Sequence, residues 1–599
     1  MLCTAQIDFA QPLTADSPRL QGGWGVPQQV LQAHDAAQLA ALLPAVQEAA
    51  RQGAWCVGGL TYEAASALRP DLHTHPARGQ LAWFAIYADA PQPMASAGAP
   101  VAAAPVLQWH SGVARPAFDA ALARIHDDIA AGRYYQLNLT QQDTAHSATP
   151  LQPQALFAAL QRAQPGGYGL YLNLGAQALL SASPELFFDW HQPAAGSGQI
   201  LTRPMKGTAT RGSTPEHDLA QAQHLRHSAK ERAENVMIVD LLRNDLGQIA
   251  EVGSVQVPQL FALQALPTVW QMTSDVRARL PAGTGLWQVL QALFPCGSIT
   301  GAPKRSAMQA IAQLENGPRG WYCGALGVVR SDGAGGVRAT FNVPIRTLVL
   351  QDAQTLTCGI GSGITADAQP EGEWREWRAK RAFAERISQP FDILETLALD
   401  DGQLRHAALH LARMAQAAQH FGYPWDAAAA QQALAALAQA HPTGLWRVRV
   451  LLQADGALTA QAFASPPSPA QVQLQWAPAP LAEAHSEFVR FKTTRRAHYE
   501  ALAPQPDSTA FDSLLCNEDG EITECTRGNI AALLDGQWVT PPLQCGLLPG
   551  VGRAVALQAG RVQEGVIRVA DVPRVQAWAF LNSLRGWIPA QLVGAPPAR

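Results

Sequence analysis

The sequence predicts a chain of mixed helices and strands divided into more than one domain. At 599 residues it is longer than a single hydrophobic core usually supports. Short apolar runs of strand character alternate with longer charged segments of helical period. A charged helix over 370–387 ends near Ser388-Gln389-Pro390, where proline disfavours continuation. A new strand-like run, Phe391-Asp392-Ile393-Leu394-Glu395-Thr396, starts immediately after it. These features place the main boundary at about residue 389, giving segments 1–388 and 389–599.

Taken in order, residues 88–105 are rich in Ala and Pro and read as a loop or linker. A helix ends at Gly132, before Tyr134-Tyr135-Gln136-Leu137-Asn138-Leu139-Thr140. Gly169-Leu170-Tyr171-Leu172-Asn173 and Ala178-Leu179-Leu180-Ser181 read as strands. Residues 192–199 read as a hairpin loop. Residues 216–246 are helical in pattern, with Glu234, Ile238, Leu241 and Asp245 at i, i+4, i+7 and i+11.

Composition removes several function classes. Hydrophobic residues at 48% and charged residues at 15% are ordinary for a soluble globular protein. A formal net charge of -4 gives no electrostatic basis for binding nucleic acid or an anionic membrane. No apolar run reaches the roughly 18 residues a membrane span needs. The start, Met1-Leu2-Cys3-Thr4-Ala5-Gln6-Ile7-Asp8, lacks the basic and apolar regions of a signal peptide. The eight cysteines form no CxxC pair, which argues against a zinc site or disulfide framework and fits a reduced cytoplasm.

The segment Thr202-Arg203-Pro204-Met205-Lys206-Gly207-Thr208 sets one lysine between a stiff proline and a permissive glycine. That placement suits an amine that must reach one atom of a substrate. A lysine is nucleophilic only when neutral, and near pH 7 only about one in a thousand ordinary lysines is neutral. A site that uses one must supply roughly 4 kcal/mol by burial or nearby positive charge.

Four other segments accompany it. They are Tyr134–Thr140, Ser181-Ala182-Ser183-Pro184-Glu185, the run from Ala233 to Gly247, and Gly297-Ser298-Ile299-Thr300-Gly301-Ala302-Pro303-Lys304. Together, from about Gly58-Gly59-Leu60-Thr61-Tyr62-Glu63 to Ala382, they resemble the chorismate-utilising enzymes. That family includes anthranilate, isochorismate and aminodeoxychorismate synthases. The resemblance implies an α+β fold of two packed antiparallel sheets with flanking helices.

Chorismate is a dianion, so a wall of carboxylates would repel it unless a hard cation bridged the two. Glu231 and Glu234 share one helical face, as do Glu373 and Glu376. The resemblance makes Glu234 and Glu376 ligands of Mg²⁺, with Glu231 and Glu373 close behind. Arg346 and Lys304 are the expected cationic partners of the substrate. Thr300, Gly301 and the run Gly359-Ile360-Gly361-Ser362-Gly363 are expected to line its site, the glycine run through backbone amides. Many relatives carry a smaller residue where Ser362 stands.

Lys206 separates the family members. Anthranilate synthases resemble this segment but carry alanine there, whereas aminodeoxychorismate synthases carry lysine. The resemblance implies that the amine adds at C2 of chorismate as the C4 hydroxyl leaves. Ammonia then adds at C4 and expels the lysine. Glu185 is placed as the acid or base near the ring hydroxyl, which calls for burial that raises its pKa. Gln136 stands where isochorismate-type enzymes carry a lysine that activates water, which argues against hydroxylation at C2. A departure occurs at Gln271, where related enzymes often have histidine; drift at a supporting position is the bland explanation.

The second segment carries its own lysine in Arg490-Phe491-Lys492-Thr493-Thr494-Arg495-Arg496, followed by Tyr499. His410-Leu411-Ala412-Arg413-Met414 lies upstream; Glu521–Ile530 and Gly546–Arg553 lie downstream. This set resembles the fold-type IV pyridoxal-phosphate enzymes, branched-chain and D-amino-acid aminotransferases and aminodeoxychorismate lyase among them. The resemblance implies a two-lobed α/β domain that dimerises. It implies Lys492 in Schiff-base linkage to the cofactor, and Glu524 paired with the pyridine nitrogen. Arg413 and the amides around Val551 and Gly552 would bind the phosphate, with Gly552 where a threonine is usual. Asn529 is expected to orient either the phosphate or Glu524. Asn582-Ser583-Leu584-Arg585-Gly586 weakly resembles the lyases.

The combined expectation is a bifunctional enzyme that makes 4-aminobenzoate from chorismate, with ammonia from a separate glutamine amidotransferase. Two alternatives remain open: an anthranilate synthase fused to an aminotransferase, and a non-catalytic binding protein on these scaffolds.

Overall fold

The computed structural model of the chain describes residues 3–14, 18–93, 107–211, 215–266, 269–388 and 390–596. Most of the expected linker, residues 94–105, and Gln389 at the expected boundary lie outside these described residues. The chain divides into two compact units, Met1–Gln389 and Pro390–Arg599.

Two large sheets build the first unit, and every strand pairing in both is antiparallel. One runs, in spatial order, Gly301–Ala302, Gln136–His146, Thr355–Ile364, Thr347–Leu350, Ala178–Ser183, Tyr168–Asn173, Ala5–Phe9 and Leu20–Trp24. The other begins at its edge with Met205–Thr210, then Val269–Leu280, Gly198–Arg203, Leu186–Gln192 and Val337–Asn342. Ile7, Leu170 and Leu179 of the first sheet share a buried cluster with Leu186, Leu201 and Val328 of the second, so the sheets pack face to face.

Helices cover the outer faces. Arg115–Ala130 starts with Pro116 in its first turn and buries Phe118, Leu122 and Ile125 along one stripe. It stops just before Gly132, whose φ is 72°. Phe118 packs edge-on against Trp377 at 4.8 Å, tying this helix to Pro370–Ser388. Each such buried aromatic contributes about 1.5–3 kcal/mol. The segment read as one helix over 216–246 is two: Pro215–His227 and Ala229–Gly247. Ser228 breaks the run because its hydroxyl accepts from the Glu231 amide and caps the second helix.

The second unit has a four-stranded antiparallel sheet around Ile393–Asp400 and an eight-stranded mixed sheet around Gly586–Val593. Helix Ala407–Phe421 packs Met414, Ala417 and Phe421 against the smaller sheet. Lys492 docks on that sheet's first strand, where its carbonyl accepts from the Leu394 amide at 2.9 Å. Among the described residues no helix is long and apolar enough to cross a membrane, and all eight cysteines are free.

Candidate active site

The edges of the two sheets meet at Lys206. Its strand, Met205–Thr210, is the edge of one sheet; Gln136 and Gly363 lie near the edge of the other. A Cβ on Gly363 would stand 2.3 Å from Gln136 Nε2 and 2.7 Å from Lys206 Nζ. A side chain there would push Gln136 or Lys206 out of its present place. Gln136 is fully buried, and neither its Nε2 nor its Oε1 has a hydrogen-bond partner. Such an orphaned amide faces the cost of lost hydration unless a ligand satisfies it.

Glu185 follows Pro184 where the chain crosses from one sheet to the other. It is 3% exposed, and its Oε1 has no partner. Burial pushes its pKa up to about 7, against smaller opposing pulls from Ser298, Lys206 and the Met205 amide. This is the half-protonated carboxyl that acid–base work near neutrality requires.

The four expected metal carboxylates come within electrostatic reach of one another. Glu231 is pushed up first by burial and then by Glu234 and Glu376. Glu373 is pushed up by burial and Glu376, while Ser362 pulls it down. Three of the four carboxylates are engaged in other ways. Lys230 approaches Glu234 at 4.0 Å, Lys380 pairs with Glu376 at 2.6 Å, and Ser362 Oγ donates to Glu373 at 2.5 Å. Among the described residues no three acidic, His or Cys side chains converge into a ready cation cage. An all-oxygen set offering one or two carboxylates at a time fits Mg²⁺, which takes its remaining ligands from water and substrate.

The anion partners divide. Arg346 lies in a cleft with Gln164, Gly166, Pro184 and Gln264, and its Nη1 contacts Gln164 Oε1. Its φ of 50° is sparsely populated for a non-glycine residue. Burial, and then the like charge of Arg386, pull its pKa down to about 10, so it stays cationic at neutral pH. Lys304 does not join it, which corrects the sequence-based expectation. Its ammonium is buried and donates to Asp245 at 2.7 Å and to the Leu293 carbonyl at 3.1 Å. Lys304 therefore locks helix Ala229–Gly247 in place rather than facing a substrate.

Thr300 is fully buried, and its hydroxyl donates to the carbonyls of Cys296 and Gly297. Gly301, with φ 151°, pairs with Leu137; a Cβ there would stand 2.2 Å from the Gln136 carbonyl. The run around Gly361 is not an open loop but part of strand Thr355–Ile364, paired along its length with Gln136–His146. Over 359–364 it has only that one neighbour, so alternate amides point away from the ladder and can still meet an anion. Gly359 is required for a different reason, because a Cβ would fall 2.1 Å from Cγ of Tyr322. The Ser362 hydroxyl faces helix Pro370–Ser388, accepting from Trp377 Nε1 at 2.9 Å while it donates to Glu373. Motif reading missed Arg319, whose buried guanidinium donates to Glu315, to Ile299 O and to Asn138 O, holding the Gln136 strand and the Thr300 turn together.

In the second unit, burial, then the charges of Arg496 and Arg413, bring Lys492 down to about 7. About half its amines are then neutral at pH 7, the form that attacks an aldehyde. Glu524 is 3% exposed, and burial pushes it up to about 7. It accepts from Tyr499 Oη at 2.6 Å, from the Leu548 amide at 3.0 Å and from Asn529 Nδ2 at 3.3 Å. Asn529 thus orients Glu524. A Cβ on Gly550 would stand 1.8 Å from Asn529 Oδ1, so a side chain there would displace the Asn529 amide. Gly552 sits in the first turn of helix Val551–Gln558, and a Cβ would stand 2.6 Å from the Asn582 backbone. A threonine has no room there.

Arg413 is held from behind by a residue that motif reading did not single out. Its Nε and Nη2 donate to Glu395 at 2.7 and 2.8 Å, and its Nη1 donates to the Pro549 carbonyl at 2.9 Å. Three of its five N–H groups are engaged, which leaves two for a phosphate. His410 Nδ1 lies 2.6 Å from Glu395, and its Nε2 is buried without a partner. Burial pushes Glu395 up, but Arg413 and His410 outweigh this and bring it to about 2, against an ordinary value of 4.5. A depressed carboxylate stabilises the fold fully above about pH 4.5 and loses that contribution as pH falls through about 2. Glu395→Ala is expected to cost on the order of 3 kcal/mol at pH 7, because it strands a buried guanidinium. Urea unfolding of the full chain, followed through the second unit's transition, measures this.

Residues 13–386 match the family model described as chorismate binding enzyme, and residues 392–593 match that of amino-transferase class IV. The chain therefore belongs to the chorismate binding enzyme family. It is 41% identical over 280 residues to aminodeoxychorismate synthase component 1 of Klebsiella aerogenes, covering 46% of this chain and 59% of that protein. It is 38% identical over 295 residues to anthranilate synthase component 1 of Streptomyces coelicolor, covering 48% and 55%. The matched stretch thus spans a little over half of either relative, and overall identity does not separate the two reactions. The menaquinone-specific isochorismate synthase of Escherichia coli shares the fold, with a TM-score of 0.51 at 17% identity over 65% of this chain and 90% of that one.

Proposed function

We propose that the chain makes 4-aminobenzoate from chorismate and ammonia in two steps, the first in residues 1–388 and the second in 389–599. The observation that carries the first step is the amine of Lys206 standing beside the orphaned Gln136 amide at the meeting of the two sheet edges. An alanine there would take that amine away. Lys206 attacks C2 of chorismate, forming a C–N bond as the C4–O bond breaks, and Glu185 delivers the proton that lets the hydroxyl leave as water. Ammonia then bonds to C4, the Lys206 bond breaks, and 4-amino-4-deoxychorismate results.

Arg346 holds a substrate carboxylate, and the outward amides of 359–364 assist it. Glu234 and Glu376, backed by Glu231 and Glu373, would hold a Mg²⁺, which would supply positive charge for a dianionic substrate. Ammonia comes from a separate glutamine amidotransferase, a reading supported by the component 1 names of the relatives.

The second step eliminates pyruvate and leaves an aromatic ring. Pyridoxal phosphate, when bound, supplies the electron sink for that elimination. Lys492 would hold the cofactor, and its amine would move the proton. Glu524 would pair with the pyridine nitrogen, with Tyr499 and Asn529 fixing the carboxylate's orientation. Arg413 and the amides of Val551 and Gly552 would take the phosphate. Dimerisation through this unit and a cytoplasmic location belong to the same reading.

The test supplies chorismate, Mg²⁺, ammonium and pyridoxal phosphate and identifies the products. 4-Aminobenzoate with one equivalent of pyruvate is expected; anthranilate, or no pyruvate, refutes the proposal. A pH profile adds a second check. Glu185 is protonated below about 7 and loses that proton above it. The rate of the first step should therefore have a descending limb near pH 7. Glu185→Gln should abolish that limb and lower the rate about 100-fold.

A further inference from the structure

The strand that carries Lys206 departs from regular pairing at the lysine itself. Met205 pairs with Thr273, and Thr208 pairs with Gln271. Two residues, Lys206 and Gly207, therefore stand opposite Met272 alone, which makes a β-bulge. Gly207 takes φ 93°, a conformation that side-chain-bearing residues avoid. Its missing Cβ would stand 3.1 Å from Glu231 Oε2.

A bulge takes carbonyls out of the ladder, and in a buried segment each needs another donor. Both bulge carbonyls are met by side-chain amides. Asn235 Nδ2 donates to Lys206 O at 3.4 Å, and Gln271 Nε2 donates to Gly207 O at 2.9 Å. A carbonyl can only accept, so the NH₂ end of Gln271 must face Gly207. The other end then accepts from Thr208 Oγ1 at 3.1 Å. Asn235 is fixed in turn, accepting from Ser274 Oγ at 2.6 Å. Gln271 is 6% exposed, so water does not readily replace its amide. Among these contacts, the bond from Gln271 to Gly207 is the shorter of the two amide bonds to the bulge. It sets the plane of the Gly207–Thr208 peptide, while Asn235 holds the Lys206–Gly207 peptide, and together they fix the bulge from which the amine projects.

We infer that Gln271 is a positioning residue: its amide pins the bulge and aims Lys206 at the reacting carbon. This gives a job to the position where related enzymes often carry histidine, which also has an N–H to donate. The inference rests on Lys206 being the nucleophile, and the experiment separates the two claims.

Chorismate and Mg²⁺ are supplied without ammonium, and the peptide bearing Lys206 is followed by mass spectrometry for a gain of chorismate less one water. Parallel assays with ammonium give kcat and KM. Gln271→Met keeps the length and apolar stem but loses the donor. Its adduct formation should slow about 10-fold or more, as expected for a displaced reacting group. The chorismate KM should stay within about twofold, because the substrate's anion contacts are untouched. Gln271→His should keep a rate above that of the Met variant; a packing role predicts the reverse order. Thr208→Val removes only the hydroxyl that orients the amide and should cost about threefold. That variant is exposed at the altered side chain and tests the same claim should the core substitution fail to fold.

A Met variant that matches wild type, or one whose loss lies wholly in KM, overturns the positioning role and leaves Lys206 as nucleophile. A wild-type protein that forms no adduct overturns both.

Discussion

Lys206→Ala is expected to lower formation of 4-amino-4-deoxychorismate on the order of a thousandfold, the scale of rate lost when a held nucleophile is removed. The substitution removes the amine beside Gln136 and Gly363 while leaving the strand edge, Glu185 and Arg346 in place. Chorismate binding should therefore change little, and the loss should fall on kcat. Product identity makes the experiment decisive. The family resemblance implies alanine at this position in anthranilate synthases, and the chain is 38% identical to one of them over 295 residues. Were the first unit an anthranilate synthase, the alanine variant would turn over normally. Chromatography of the products with ammonium as nitrogen source reads both outcomes.

Lys492→Ala should remove the second step alone, by on the order of 10,000-fold, the upper range for a positioned proton shuttle. 4-Amino-4-deoxychorismate should accumulate at the wild-type rate, while 4-aminobenzoate and pyruvate disappear. The physical basis is the pKa of about 7, set by burial, Arg496 and Arg413, which gives an amine reactive at neutral pH. The variant should also lack the visible absorbance of a lysine-bound cofactor. In wild-type protein the rate at which that absorbance appears should rise with pH through about 7, since only the neutral amine attacks. A rate that climbs only above pH 9 would show that the lysine is not held in this environment.

Much of both sites was legible in the chain because their residues sit in compact local motifs. Lys206 lies between a proline and a glycine, and Glu231 and Glu234 are one helical turn apart, as are Glu373 and Glu376. Residues acting across the fold were not legible in that way. Glu395 lies 18 positions before Arg413 and looks like an ordinary strand glutamate until the strand and helix bring them to 2.7 Å. Arg319 meets Asn138 across 181 positions. The break at Ser228 was hidden by a continuous helical pattern, because a capping hydroxyl competes with the helix only through local geometry.

What the sequence by itself determined is which groups are present: a lysine among carboxylates in one unit, and a second lysine with a glutamate downstream in the other. The tertiary structure decided which charges face a ligand. Lys304 and Arg346 were equal candidates as bare cations. Folding buries one against Asp245 at 2.7 Å and leaves the other in a cleft. It also decided how Lys206 is aimed, through a bulge whose carbonyls meet Asn235 and Gln271. A local pattern can specify which groups are present, but a charge or a hydrogen bond is assigned only when distant segments bring its partner within about 3 Å.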